Sequence, residues 1–375
     1  MASEKFHSYI NYIILILFPI IIFVALITGI SEYLDIFGLH IHTPDYLIFY
    51  QRDWTALLGG QNPYNYWIGP DQLSSYYPPG FLVFGGFYFF HPLLPKIFFC
   101  LVWLLTAYLI NGIAKKHDVS RKSTIYFCIG LIIINPMYLA IVLIAGHYDV
   151  VVGLCVLLAV YALDHSEQIK SGIYTASAFL LKFLGLILIF PLVFKKKKIN
   201  WRLGVTFIAI SGGIYLLCYL LWGSSIFQPI ITQILRVPKG GSILVFISEV
   251  LGFDVGLILP YLFIIGAIIA AIFLYFRNTD TSSFSLILIL CFLMILPTFY
   301  VHYGAWFTPL AIYWSITHNG KLQFTIILYY IGALISGLIS VFVVVWAGGV
   351  FLFCITGVFA LAIYFNRNKE EVEEK

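Results

Sequence analysis

The chain has 375 residues, of which 61% are hydrophobic and 10% charged, with a formal net charge of +4. A water-soluble globule of this size needs more polar surface than that, so a soluble domain is excluded and lipid is the expected solvent. In lipid a spanning helix needs about 20 mostly apolar residues and must satisfy its own backbone hydrogen bonds.

Apolar stretches with polar breaks fall at 10–30, 97–113, 124–145, 149–164, 172–194, 202–222, 256–276, 283–301, 304–317, 322–343 and 347–365, with a short, broken twelfth from Pro79 to Pro95. The expected fold is therefore all-α, a single integral membrane domain over 1–375 with about 12 transmembrane helices. Ile10 to Ile30 is long enough to span and lacks a small-residue cleavage site, so it is read as an uncleaved first helix. The six cysteines lie inside apolar runs without a CxxC pair and read as small core hydrophobes, with no metal site expected.

Basic residues set the orientation, because cytoplasmic loops are enriched in Lys and Arg. Lys115, Lys116, Arg121 and Lys122 form one cluster, and Lys195 to Lys198 with Arg202 form another. Both fall inside if Pro79–Pro95 only dips into the outer leaflet and 172–194 is a pair of short half-helices meeting near Lys182. Of the 21 Lys and Arg, five then remain at the outer side: Arg52, Lys96, Lys182, Arg236 and Lys239. Both termini, including the acidic tail 366–375, are expected in the cytoplasm.

Residues 31–96 form an acidic, aromatic loop on the outer face, with Glu32, Asp35, Asp45, Asp53 and Asp71 against Arg52 and Lys96. Asp45, Phe49, Trp54 and Leu58 recur at helical spacing, which predicts a short amphipathic helix on the membrane surface, ended by Gly59 and Gly60. The aromatic residues also suit an interfacial belt. His40 and His42 near Asp45 invite a metal reading, but two histidines without a third ligand make a weak one.

The order of these features resembles the membrane glycosyltransferases of the C-type superfamily, GT-C. An Asp follows the first helix, an aromatic stands five residues on, "LLGGQNPY" covers Leu57 to Tyr64, and "YYPPG" covers Tyr76 to Gly80. The nearest likeness is to the polyprenol-phosphate-mannose-dependent mannosyltransferases. "GHYDVVVG" at Gly146 to Gly153, "ASAFLLKFLG" at Ala176 to Gly185 before the basic turn, and "YVHYGAWFTPL" at Tyr300 to Leu310 are similar to later segments of that family. Many relatives carry Pro directly after the conserved Lys, where this chain has Phe183. Asp53 is an acid that the family pattern does not assign.

The resemblance implies transfer of a hexose, mannose in the nearest branch, from a polyprenyl- or dolichyl-phosphate donor to a glycolipid or glycan hydroxyl on the outer face. It makes Asp45 the catalytic base. A single displacement with one base inverts the anomeric carbon, whereas retention needs a second carboxylate; Asp53, eight residues on, keeps that alternative open. Lys182 is a lone cation in an apolar run, which usually faces a cavity or a partner, and a departing phosphate suits it. Arg236 and Lys239 are candidates to clamp the same phosphate.

Substrate contacts are also expected from His147, Asp149, His302, Tyr303, Tyr64, Tyr77 and Asp53. Plainer roles compete with these. Lys182 can snorkel, Arg236 and Lys239 can sit at the headgroups, Asp149 can cap its helix, and His302 can be structural. No cofactor is expected, and the partners are the lipid-linked donor, the acceptor and membrane lipids, with no nucleic acid. A compact chain without sorting signals is expected in a prokaryotic plasma membrane. The rival reading is a transporter or flippase, which predicts ionisable residues in broken helices at mid-membrane; a catalytically dead scaffold is a third.

Overall fold

The computed structural model of the chain describes residues 35–36, 39–40, 49–65, 77–117, 146–195, 198–234, 239–240, 280–296, 298–299, 303–318 and 354–363, with isolated positions between 247 and 350. It is mostly helical. The expected helices at 10–30 and 124–145, and most of those at 256–276 and 322–343, lie outside the described residues. The chain divides into two compact units, one of residues 1–63 with 82–151 and one of 64–81 with 152–375.

In the first unit a two-residue antiparallel bridge pairs Asp35 with His40 and Ile36 with Leu39. Helix α1 (Gln51–Leu58) follows, and its chain reverses through Gly59 and Gly60, the latter at φ +70°, a conformation that suits glycine. This is the second half of the expected amphipathic helix; Asp45, at its start, lies outside the described residues. Trp54 is fully buried against Tyr88 with ring centroids 5.5 Å apart, so one face of α1 packs into protein. Helix α2 (Gly85–Phe90) brings Gly85 under that ring, where a Cβ would stand 3.3 Å from Trp54 Cδ1.

Helix α3 (Leu94–Lys116) starts with Pro95 in its first turn and ends on Lys115 and Lys116, the sign that suits a helix carboxyl end. Between α2 and α3, His91 is extended at φ −164°, so the stretch Pro79–Pro95 is short and broken, as its prolines and glycines predict. Along α3, Leu101, Leu105 and Tyr108 are 58%, 47% and 74% exposed and share one face. An apolar stripe of that kind needs lipid or a partner to cover it.

The second unit contains most of α4 (Asp149–Asp164), then α5 (Gln168–Lys182), α6 (Leu184–Val193), α7 (Trp201–Trp222), a 3-10 turn (Gly223–Phe227), α8 (Gln228–Ile234), α9 (Thr281–Ile295) and α10 (Gly304–Thr317). Helix α10 is buried from Gly304 to Ile316, and Gly153 of α4 touches the Ala305 carbonyl, an approach that excludes any side chain there. Helix α9 stops at Ile295 because Leu296, next to Pro297, is extended at ψ 137°. The apolar stretch expected at 283–301 is thereby cut short.

Helices α5 and α6 form a hairpin. Phe183 between them adopts the left-handed conformation (φ 57°, ψ −1°), and its amide still bonds to the Phe179 carbonyl at 2.8 Å. Gly185 then lies against Thr175 and Phe179, so the chain turns back along α5 rather than continuing outward. A basic turn follows, with Phe194 paired to Ile199 and Lys195 to Lys198. Helix α7 runs parallel to α5: Gly172 lies 2.8 Å from the Leu203 carbonyl when given a Cβ, and Phe179 packs on Phe207 and Tyr215.

Among the described residues two helices, Leu94–Lys116 and Trp201–Gln233, are long and apolar enough to cross a membrane. Helices α4, α9 and α10, of 16, 15 and 14 residues, fall short of the usual span of about 20. On α7, Val205, Ile208, Leu216 and Leu220 are each more than half exposed.

At the start of α9, Asp280 stands just outside the helix and caps it, accepting from the Ser283 amide at 2.8 Å and the Ser282 hydroxyl at 2.7 Å. His318, the residue that closes α10, lies 3.7 Å from the same carboxylate and stacks on Trp314, whose indole N–H donates to Ser283. Burial pushes the Asp280 carboxyl up, but His318 and Ser283 outweigh it and hold it well below the usual carboxylate range.

Two predictions follow from these two helix ends. Phe183→Pro should cost about 3 kcal/mol or more, because proline fixes φ near −65° and lacks the bonded N–H, whereas Phe183→Gly should be tolerated; thermal unfolding in detergent measures both. For Asp280 the folded-state carboxyl titrates below its unfolded value of about 3.9, so its charge stabilises above that pH and the benefit is lost as pH falls through the folded value. Asn still caps, so the unfolding midpoint of Asp280→Asn should lie below that of the parent at pH 6, with the gap closing as the pH is taken down through 3.

Candidate functional site

In the second unit the αL turn at Phe183 leaves Lys182 as the last residue of α5, at the tip of the hairpin. Three aromatic rings surround its half-buried side chain. Lys182 Nζ lies 5.1 Å from the centroid of Tyr77, 5.6 Å from Tyr303 and 5.8 Å from Trp306, all within cation–π range. Tyr303 and Trp306 stack on each other at 4.2 Å and 18°, as their spacing across the first turn of α10 allows.

The Tyr-Pro-Pro-Gly segment reaches this place because Gly80 carries no side chain: a Cβ there would stand 2.7 Å from the Leu180 carbonyl. Tyr77 in turn packs on Phe81 at 5.1 Å. Tyr64 is buried with its ring 5.7 Å from Trp222, at the carboxyl end of α7 and so at the same end of the unit as Lys182. A parallel two-residue bridge pairs Lys239 with Thr298 and Gly240 with Phe299, which brings the Lys239 backbone beside the strand that leads into Tyr303. Arg236 and His302 lie outside the described residues.

Lys182, Tyr77 and Tyr303, widely separated in sequence, thus meet around one cation. Trp306 was not singled out by the sequence reading, although its position three residues after Tyr303 at a helix start was a usable signal. The arrangement offers one fixed positive charge framed by flat apolar faces, which suits an anionic group joined to a sugar or a lipid.

The first unit holds a second polar cluster. The Tyr50 hydroxyl lies 3.2 Å from His147 Nδ1, and Asp149 Oδ2 lies 3.3 Å from the same nitrogen. Beside it the Tyr148 ring lies 5.3, 5.8 and 6.3 Å from the rings of Tyr50, Phe84 and Phe99. Asp149 is fully buried in the first turn of α4, at the expected start of the apolar stretch 149–164.

Asp53 is fully buried and its Oδ1 accepts from Arg52 Nε at 2.8 Å and lies 2.6 Å from Nη2 as an ion pair, while the Arg52 guanidinium lies over Phe49 at 5.5 Å. Arg52 thereby balances the charge of the extra acid. Lys96, expected at the outer side, is 1% exposed in the first turn of α3, one turn from buried Cys100. Its neighbours Pro95 and Phe99 are buried too, so that face of the helix packs into protein.

Asp45 and His42 lie outside the described residues. Among the described residues no three His, Cys, Asp or Glu side chains converge as a metal site would require. Comparison of the sequence with protein-family models and with curated proteins gives no match. The family resemblance therefore rests on the residues and on what their geometry can do.

Proposed function

We propose that the chain is a polytopic membrane glycosyltransferase that moves a hexose from a polyprenyl-phosphate donor to a hydroxyl acceptor at the outer face. The observation that carries the reading is Lys182 at the tip of the α5–α6 hairpin, ringed by Tyr77, Tyr303 and Trp306. The 15 residues of α5 rise about 22 Å, so a hairpin whose open end lies at the basic turn lifts this lysine most of the way across a hydrocarbon core of about 30 Å. The exposed apolar faces of α3 and α7 support lipid as the solvent. About 12 spans with both termini inside remain the topology that best fits the basic clusters.

In the proposed reaction Asp45 takes the proton of the acceptor hydroxyl as its oxygen attacks the anomeric carbon. The bond from that carbon to the phosphate oxygen breaks, and the lipid phosphate leaves with the electron pair. Lys182 faces that growing charge, with Lys239 and Arg236 as further cations. The aromatic faces hold the sugar and shield the cation from water. One base and one displacement give inversion. The lipid-linked donor already lies in the membrane, which fits a chain without a glycine-rich phosphate loop.

A transporter or flippase is the second reading, and the broken α5–α6 pair is the observation in its favour, since interrupted helices often bind substrate in transporters. Purified protein given labelled polyprenyl-phosphate mannose and a membrane extract as acceptor pool separates the two. Transfer should fall about 10²- to 10⁴-fold in Asp45→Asn, the usual worth of a general base. Undiminished transfer in that variant removes Asp45 from the mechanism, and donor movement across the bilayer without any sugar transfer favours the transporter.

A further inference from the structure

At the end of the second unit opposite Lys182, the parallel helices α5 and α7 begin side by side around a cavity of about 290 Å³. Its lining is Ser166, Glu167, Gln168, Ile169, Lys170 and Arg202. Lys170 Nζ is held by Glu167 Oε1 at 2.7 Å, so one lining cation is matched by the one lining acid and Arg202 supplies the surplus charge. The Arg202 guanidinium lies over the Trp201 ring at 5.6 Å.

Two further features say what kind of molecule fits. Below the cations the surface turns apolar: Ile169 and Ile173 on α5, and Trp201 and Val205 on α7, are 40 to 61% exposed. Trp201, at the start of α7 beside Arg202, stands where an interfacial tryptophan would. A cation at the rim, an interfacial tryptophan and an apolar flank match a phosphate and an acyl chain.

We propose that this cavity is a binding site for the headgroup of an anionic phospholipid such as phosphatidylglycerol. Arg202 binds the phosphate, and the acyl chains lie along the exposed faces of α5 and α7. The site stands apart from the lysine at the hairpin tip and needs only that the chain is embedded in a bilayer, so it holds whichever chemistry the tip performs.

The test uses the purified full-length chain in detergent, titrated by calorimetry with dioctanoyl phosphatidylglycerol, dioctanoyl phosphatidylcholine and inorganic phosphate. Phosphatidylglycerol should bind in preference to the other two, and Arg202→Gln should weaken it about fivefold, the worth of one basic residue at an anionic surface. Glu167→Gln frees Lys170 and removes the one lining acid, so it should tighten binding, a gain that a misfolded variant cannot give. Equal binding of the two lipids, inorganic phosphate binding as tightly as phosphatidylglycerol, or affinities unchanged in both variants would each overturn the proposal.

Discussion

A single residue in a left-handed conformation organises the second unit. With Phe183 at φ 57°, α5 cannot continue as one helix with α6 and instead folds back on itself, and Gly185 lets the two halves close against Thr175 and Phe179. A bulky residue in this region costs on the order of 1 kcal/mol or more, and the Phe179–Phe183 ring contact at 5.6 Å helps to hold it. The hairpin has two consequences. It returns the chain to the end of the unit where α5 starts, at the basic turn, and it leaves the terminal cation of α5 at the far tip.

The two ends of this unit therefore differ in chemistry. Around the start of α5 and α7 lie cations, a tryptophan and a cavity; around the tip lie one lysine and a group of aromatic rings drawn from two distant parts of the chain. A charged lysine at the centre of a bilayer costs about 2.5 to 3.5 kcal/mol on insertion scales. Cation–π contacts return part of that, about 0.5 to 2 kcal/mol each.

Much of this was readable from residue types. Asp149 and Asp164 bound α4, and Gly304 and Thr317 bound α10, where polar residues interrupt apolar runs, so both helices fall at the expected positions. Lys182 marked the break because a lone charge in an apolar run must reach a cavity or an end. The shape of the break was not readable: Pro after this Lys would need φ near −65°, whereas Phe183 makes an αL turn that only the packing of α5 on α6 selects. The burial of Lys96 was not readable for a similar reason, since a charge in sequence does not reveal which side of its helix is covered. Trp306 was hidden among many aromatics that an interfacial belt explains equally well. The pairing of Asp53 with its neighbour Arg52 needed rotamers, which no spacing rule provides.

The central claim is that Lys182 receives the phosphate of a lipid-linked donor, and it can be isolated from catalysis. Binding of a sugar-free polyprenyl phosphate to the purified chain is the direct measurement, made with the parent and with Lys182→Gln. The account predicts saturable binding to the parent, weakened about tenfold or more in the variant, as expected for the loss of a charge-assisted bond worth about 1.5 to 3 kcal/mol. Equal affinity in the two proteins would contradict it.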